Sequence, residues 1–431
     1  MRRRHFRSVE GARGLAALSV LTYHVGTTDT TYGWFSRTTA PYLWLGVQLF
    51  FCLSGFLLFQ PFARSIISGG EWPSLRRYAG ARIARIAPAY WLVLTLTIIE
   101  TASFFFMPPL GVFDQRLLPI AGAVIAVFLG LALLRPGHRA LVPSIAFVAA
   151  IFLLATHTDL LWRGFANYAL IYLPFRMQGE VTIAWTLCIE VAFYAFLPVF
   201  AVCLRRLARG SRHPALVIVL CLLPSFPISY FYMANEGLYS RTFPVWLPGY
   251  LDEFAIGMLL AVALEVKPSV NVLTSRLLVV AAAVTFVIGH ELYHVGTLAT
   301  LSRGSGVPYA RIMELGFAFL LASVLMRDER TLIGRLLSSR ALVALGTVSY
   351  GVYLWHPLFL QRWEDTSLWR NEWIALGLVV PSTLLAAGVS WLLVEKPALR
   401  HKNFLVGAGW ARPGKAQPAL VEGAVAQPKY S

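Results

Sequence analysis

The stretch RGLAALSVLTYHV, residues 13–25, is apolar or small apart from its arginine and its histidine. Where a helix of this kind can sit decides the fold. Positions 13 and 24 are eleven apart, three turns plus about 20°, so Arg13 and His24 share one helix face about 16 Å apart along the axis. Ionisable groups inside a membrane span are expensive and mark function. The competing reading is local: Arg13 snorkels to the headgroups and pairs with Glu10, one turn earlier, while His24 caps the span.

Composition places that helix in a bilayer. Of 431 residues, 57% are hydrophobic and 13% charged, and the mean hydropathy is +0.64. A soluble domain is about half apolar and about a quarter charged, so this chain has more apolar surface than an aqueous core can hide. It reads as an integral membrane protein with the lipid bilayer as its first partner. The net charge of +16 would suggest nucleic acid in a soluble protein; here it points to basic cytoplasmic loops. Cys52, Cys188, Cys203 and Cys221 lie in or beside apolar runs without a CxxC pair, so neither a metal site nor a disulfide framework is expected. MRRRHFR resembles the basic start of a signal peptide, but the run after it contains Arg13 and no small-residue cleavage site, so it is expected to be retained.

Apolar runs long enough to cross the hydrocarbon lie near 9–25, 42–62, 86–106, 117–134, 141–155, 184–204, 215–232, 246–266, 277–292, 312–326, 342–360 and 373–394. The fourth and fifth are the weakest. The expected fold is an all-α polytopic bundle of about ten to twelve transmembrane helices. With the N-terminus cytoplasmic, Lys and Arg show about a threefold excess on the inner loops, which places both termini inside and removes the nucleic-acid reading. The chain divides into a basic cytoplasmic N-terminus at 1–8, a membrane domain at 9–400, and a tail at 401–431. The tail is rich in Gly, Ala, Pro and Lys and is expected to be disordered in the cytoplasm.

Seven blocks, in order, EGARGLAALSVLTYHV, GVQLFFCLSGFLLF, RRYAGARIARIAPAYW, WTLCIEVAFYAFLP, EFAIGMLLA, SYGVYLWHPL and VEKP, resemble the acyltransferase 3 family of membrane O-acyltransferases. EGARGLAALSVLTYHV supplies an acidic residue, an arginine, ten residues and a histidine: Glu10, Arg13 and His24. GVQLFFCLSGFLLF is similar to GVDxFFxLSGFL, with Ser54 matching and Gln48 standing where the family usually has Asp. RRYAGARIARIAPAYW carries Arg82 and Arg85 as an RxxR. WTLCIEVAFYAFLP is similar to WSLxxExxFYxxxP, with Trp185, Glu190 and Tyr194. EFAIGMLLA begins at Glu253, SYGVYLWHPL contains His356, and VEKP occupies 394–397.

The resemblance implies transfer of an acyl group, most simply acetyl, from acyl-CoA to a hydroxyl on a carbohydrate, lipid-linked glycan or secondary metabolite, at the plasma or inner membrane. Such chemistry needs a base for the hydroxyl proton and cationic groups for the donor phosphates. His24 is the expected base, because histidine titrates near operating pH, and Glu190 is expected to orient it, with Arg13 beside the path. Arginine forks suit phosphate, so Arg82, Arg85 and Arg13 are the expected contacts for acyl-CoA, and no metal is required. His356, Glu253, Ser54 and Trp185 are expected near the acceptor. Topology places His24, Glu190, Glu253 and His356 at one outer depth on four spans. The rival is a proton-coupled transporter relaying protons through His24, Glu190 and His356; no residue selects the acceptor or the oligomeric state.

Overall fold

A computed structural model describes residues 6–27, 33–103, 165–173, 181–235, 246–299, 307–327, 330–364, 366, 368 and 371–400. The expected spans at 117–134 and 141–155 and the tail at 401–431 lie outside these residues, as does most of the 1–8 segment. Among the described residues the structure is helical and contains no strand.

The helices are α1 Arg7–Gly26, α2 Trp34–Thr38, α3 Ala40–Leu43, α4 Gly46–Ile67, α5 Leu75–Ser103 and α6 Trp185–Ala208. They continue as α7 Pro214–Leu222, α8 Ser225–Asn235, α9 Leu251–Val266, α10 Val272–Ala299, α11 Val307–Leu325, α12 Leu332–Leu337, α13 Arg340–Glu364, α14 Glu372–Ser390 and α15 Lys396–Arg400. Among the described residues, seven helical stretches are long and apolar enough to cross a membrane: Gly46–Ile67, Trp185–Ala208, Pro214–Met233, Leu247–Val266, Val272–Leu292, Arg340–Glu364 and Glu372–Arg400. Helices α1, α5 and α11 overlap three further expected spans, but each carries charge within its length.

Two runs depart from uninterrupted spans at a proline. The run expected at 215–232 is two helices broken at Leu223 and Pro224, and the run expected at 246–266 opens with a 3-10 turn at Leu247–Tyr250 containing Pro248. A proline nitrogen donates nothing, and its ring crowds the carbonyl one turn earlier. The run at 373–394 ends differently, in a π-helical turn at Trp391–Glu395.

Two helix pairs with touching backbones form the frame. Helix α1 packs on α13, where a side chain at Gly14 would come within 2.8 Å of the Gly346 nitrogen and one at Gly346 would overlap the Glu10 carbonyl. Helix α4 packs on α9, where side chains at Gly55 and Gly257 would overlap the Phe254 and Cys52 carbonyls. Lipid offers no hydrophobic drive between helices, so close backbone approach through small residues supplies the van der Waals contact that holds them. The outward faces are apolar, as on α10, where Leu273, Leu277, Val280, Val284 and Val287 are exposed.

Candidate active site

Helices α1 and α13 run in the same direction: Glu10 and Gly14 lie against Gly346, and His24 lies against His356. The glycine contact at one end therefore sets the histidine contact at the other. The two rings lie 4.9 Å apart at 42°, with His356 Nε2 3.3 Å from His24 Nδ1. His24 Nδ1 is also 2.9 Å from the Val20 carbonyl, and His356 Nδ1 is 3.3 Å from the Val352 carbonyl. A carbonyl only accepts, so in the neutral rings each Nδ1 carries the proton. His356 Nε2 then accepts from His24, and His24 Nε2 keeps its lone pair. His356 is buried whereas His24 is partly accessible, so the available lone pair belongs to the reachable ring. Gly26 packs against Ala40 and Phe35, which brings α2 and α3 to this end of α1.

A buried polar stripe runs along α13 from that pair. Gly346, Tyr350, Tyr353 and His356 recur every three or four residues, with Ser349 beside Tyr350, and all are buried. The Tyr353 hydroxyl donates to the Ile183 carbonyl at 2.9 Å and meets Thr186 Oγ1 at 2.5 Å; the Tyr350 hydroxyl donates to the Ile86 carbonyl at 2.8 Å. Six residues separate Tyr350 from His356, a rise of about 9 Å.

At the Tyr350 end lie the arginines. The Arg85 guanidinium is 5.9 Å from the Tyr350 ring and 6.0 Å from the Trp391 ring, and that of Arg82 is 5.7 Å from the Tyr194 ring. The Nε of Arg82 is buried without a hydrogen-bond partner. Arg13 interacts electrostatically with Arg85, Glu395 and Tyr194. Arg13, Arg82 and Arg85 thus form one cationic layer, assembled from α1 and α5 around aromatic rings of α6, α13 and the π-turn.

The expected convergence of four residues on one depth divides into three places. His24 and His356 meet. Glu190 lies with the arginine layer: its Oε1 accepts from Ser54 at 2.8 Å and from Tyr194 at 2.5 Å, and Tyr194 carries Arg82 on its face. The recorded partner of His24 is accordingly His356, and the Ser54 hydroxyl is spent on Glu190. Glu253 belongs to a third cluster, where the Arg311 guanidinium hydrogen-bonds it, lies 2.9 Å from Asp252 Oδ2, meets Glu314 Oε1 at 3.0 Å and donates to the Gly249 carbonyl at 2.9 Å. Trp185 packs against Tyr250, with ring centroids 5.7 Å apart.

Asp252, Glu253 and Glu314 are all buried, and one cation faces three carboxylates. Sequence reasoning missed this arginine. Its signal was Glu314, an acid inside the apolar run 312–326, which requires a partner nearby. It also left Glu395 inside the VEKP block without a role. Gln48 is 3% exposed and its Oε1 has no hydrogen-bond partner. All four cysteines are free, and among the described residues no three His, Cys, Asp or Glu side chains group as metal ligands.

The profile of a family described as an acyltransferase domain matches residues 6–395. Three relatives resemble the chain. The protein of Bacillus subtilis strain 168 named "Putative peptidoglycan O-acetyltransferase YrhL" is 25% identical over 93% of this chain and 56% of its own. The peptidoglycan O-acetyltransferase OatA of Listeria monocytogenes is 23% identical over 94% of this chain and 57% of its own. The exopolysaccharide production protein ExoZ of Rhizobium meliloti is 27% identical over 83% of this chain and 89% of its own. The chain therefore spans little more than half the length of the first two. No solved structure matches it.

Proposed function

Because the chain belongs to the acyltransferase family, we propose that it is an O-acyltransferase working within the cell membrane. It takes an acyl group, acetyl first among them, from acyl-CoA on the cytoplasmic side and passes it to a hydroxyl of a cell-surface glycan. The glycan is favoured because two relatives carry names for O-acetylation of peptidoglycan and the third for exopolysaccharide production. Residues 9–400 form the membrane unit, with both termini inside.

The observation that carries this reading is the histidine pair. With Nδ1–H held by the Val20 carbonyl and by His356, the Nε2 lone pair of His24 is available to a hydroxyl. As that oxygen attacks the thioester carbonyl carbon, Nε2 takes its proton. The carbon–sulfur bond then breaks, and His24 returns the proton to the departing thiolate. His356 accepts from the Nδ1–H throughout and steadies the imidazolium between the two transfers. Arg82, Arg85 and Arg13 hold the phosphates of the donor, and the path between the two layers follows the α13 stripe. Glu190, fixed by Ser54 and Tyr194, keeps Arg82 and Tyr194 in register.

The test is transfer of radiolabelled acetyl from acetyl-CoA by membranes carrying the wild type or His24→Ala at matched protein levels. Activity in the first, with a loss of about 10³-fold in the second, is expected. Equal activity in both would remove His24 as the base.

A further inference from the structure

The cationic layer raises a question of charge. Arg13, Arg82 and Arg85 stand together in a membrane domain, where an uncompensated cation is costly whether or not a donor is bound. Glu190, tied to Ser54 and Tyr194, and Glu10, acting on Arg85, supply part of the counter-charge, and three cations call for a third carboxylate.

Glu395 is the group placed to supply it. It closes the π-helical turn Trp391–Glu395, in which Leu392 and Leu393 point outward, 59% and 71% exposed, while Glu395 is buried at 1%. A π-turn re-aims one side chain within a helix and recurs at functional positions. Here it turns a carboxylate inward from a face otherwise given to lipid. The first residue of the same turn, Trp391, lies against the Arg85 guanidinium. Behind the carboxylate is Gly351, where a side chain would come within 3.2 Å of Glu395 Oε1.

The carboxylate is also poorly bonded. Its Oε1 accepts from Ser390 at 3.5 Å, the outer limit of a hydrogen bond, and its Oε2 is buried without a partner. It interacts electrostatically with Arg85 and Arg13 but hydrogen-bonds neither. A structural ion pair would be closed by short charged hydrogen bonds, as at Arg311. An acid that neutralises arginines without being locked to them can give way to another anion. The unpartnered Arg82 Nε in the same layer is a donor still available to that anion.

We propose that Glu395 is a built-in counter-ion of the donor site, holding the charge of Arg85 and Arg13 when the site is empty and competing with the donor phosphates when it fills. The proposal rests on the acyl-CoA reading above. Its effect is to weaken binding of both acyl-CoA and the product CoA, so that the product leaves. Glu395 acts here as a positioning residue, through its charge on the arginines rather than on the reacting atoms.

The experiment is titration of coenzyme A, by calorimetry, into the full-length protein in lipid nanodiscs, together with steady-state kinetics on acetyl-CoA. Glu395→Gln keeps the shape and removes the charge, and should bind CoA about fivefold more tightly. KM and kcat should then fall together as product release slows. Glu395→Asp keeps the charge and should bind CoA within about twofold of wild type. The proposal is overturned if Glu395→Gln binds CoA equally or more weakly, or if Glu395→Asp tightens binding as much as a neutral residue would. Should Glu395→Gln fail to fold, Glu395→Ala takes its place, with the same tightening expected and equal or weaker CoA binding overturning the proposal. A wild type that binds no CoA would end the donor reading itself, an outcome separable from failure in the variants.

Discussion

Arg311 and the pair Arg82 and Arg85 are guanidinium groups of one membrane domain, yet they are treated in opposite ways. Arg311 is surrounded by three carboxylates and a carbonyl, bonded through its two terminal nitrogens, with Asp252 Oδ2 2.9 Å from an Nε that itself makes no hydrogen bond. Arg82 and Arg85 face aromatic rings, and Arg82 keeps an Nε without a partner. A buried cation fully matched by fixed acids ties helices together, here α9 to α11. A cation held by ring faces has its hydrogen-bonding fork available, and a phosphate needs such a fork.

The sharpest way to break the comparison is to remove Arg311. Arg311→Ala would strand three buried carboxylates, a loss of about 3–5 kcal/mol. The folded fraction recovered in detergent should collapse, and the surviving protein should melt well below wild type in a thermal ramp monitored by size exclusion. An Arg311→Ala protein of unchanged stability would mean that the cluster holds protons instead of the arginine, and its likeness to a structural ion pair would fail.

The contrasting substitutions should leave the fold alone. Arg82→Ala and Arg85→Ala each remove a charged contact worth about 1.5–3 kcal/mol to the donor, so KM for acetyl-CoA should rise about thirtyfold. The melting temperature should stay near that of wild type, because neither group closes a buried ion pair of the Arg311 kind. If these variants lose stability and keep KM, the aromatic cage is structural and the donor binds elsewhere.

Much of this was legible in the sequence. Helical class, membrane character and the position of the spans follow from runs of apolar residues, because a bilayer demands length and hydrophobicity above all. The one-face placement of Arg13 and His24 follows from helical period. What the sequence could not give is lateral order. Topology assigns a depth to Glu190, Glu253 and His356, but whether two spans touch depends on glycines such as Gly346 and Gly257, whose role appears only when the facing backbone is known. Glu190 was therefore expected at His24, and the structure gives it to Ser54 and Tyr194. The inward turn of Glu395 was invisible for a related reason. A π-turn leaves no composition signal, and by the helical period around it the residue belongs on the lipid side.

The finest comparison lies within the histidine pair, where two rings of one kind divide two tasks. His24 is partly accessible with a lone pair to offer; His356 is buried and accepts from it. If His356 acts only through His24, losing a neutral hydrogen bond of about 0.5–1.5 kcal/mol should lower kcat up to about tenfold in His356→Ala, with KM for acetyl-CoA unchanged. Glutamine retains an acceptor at a similar reach, so His356→Gln should recover kcat to within about threefold of wild type. An alanine variant as inactive as His24→Ala, without rescue by glutamine, would make His356 a proton-transferring group in its own right. The two rings would then share the base, and the asymmetry of their burial would mark the order in which the proton moves.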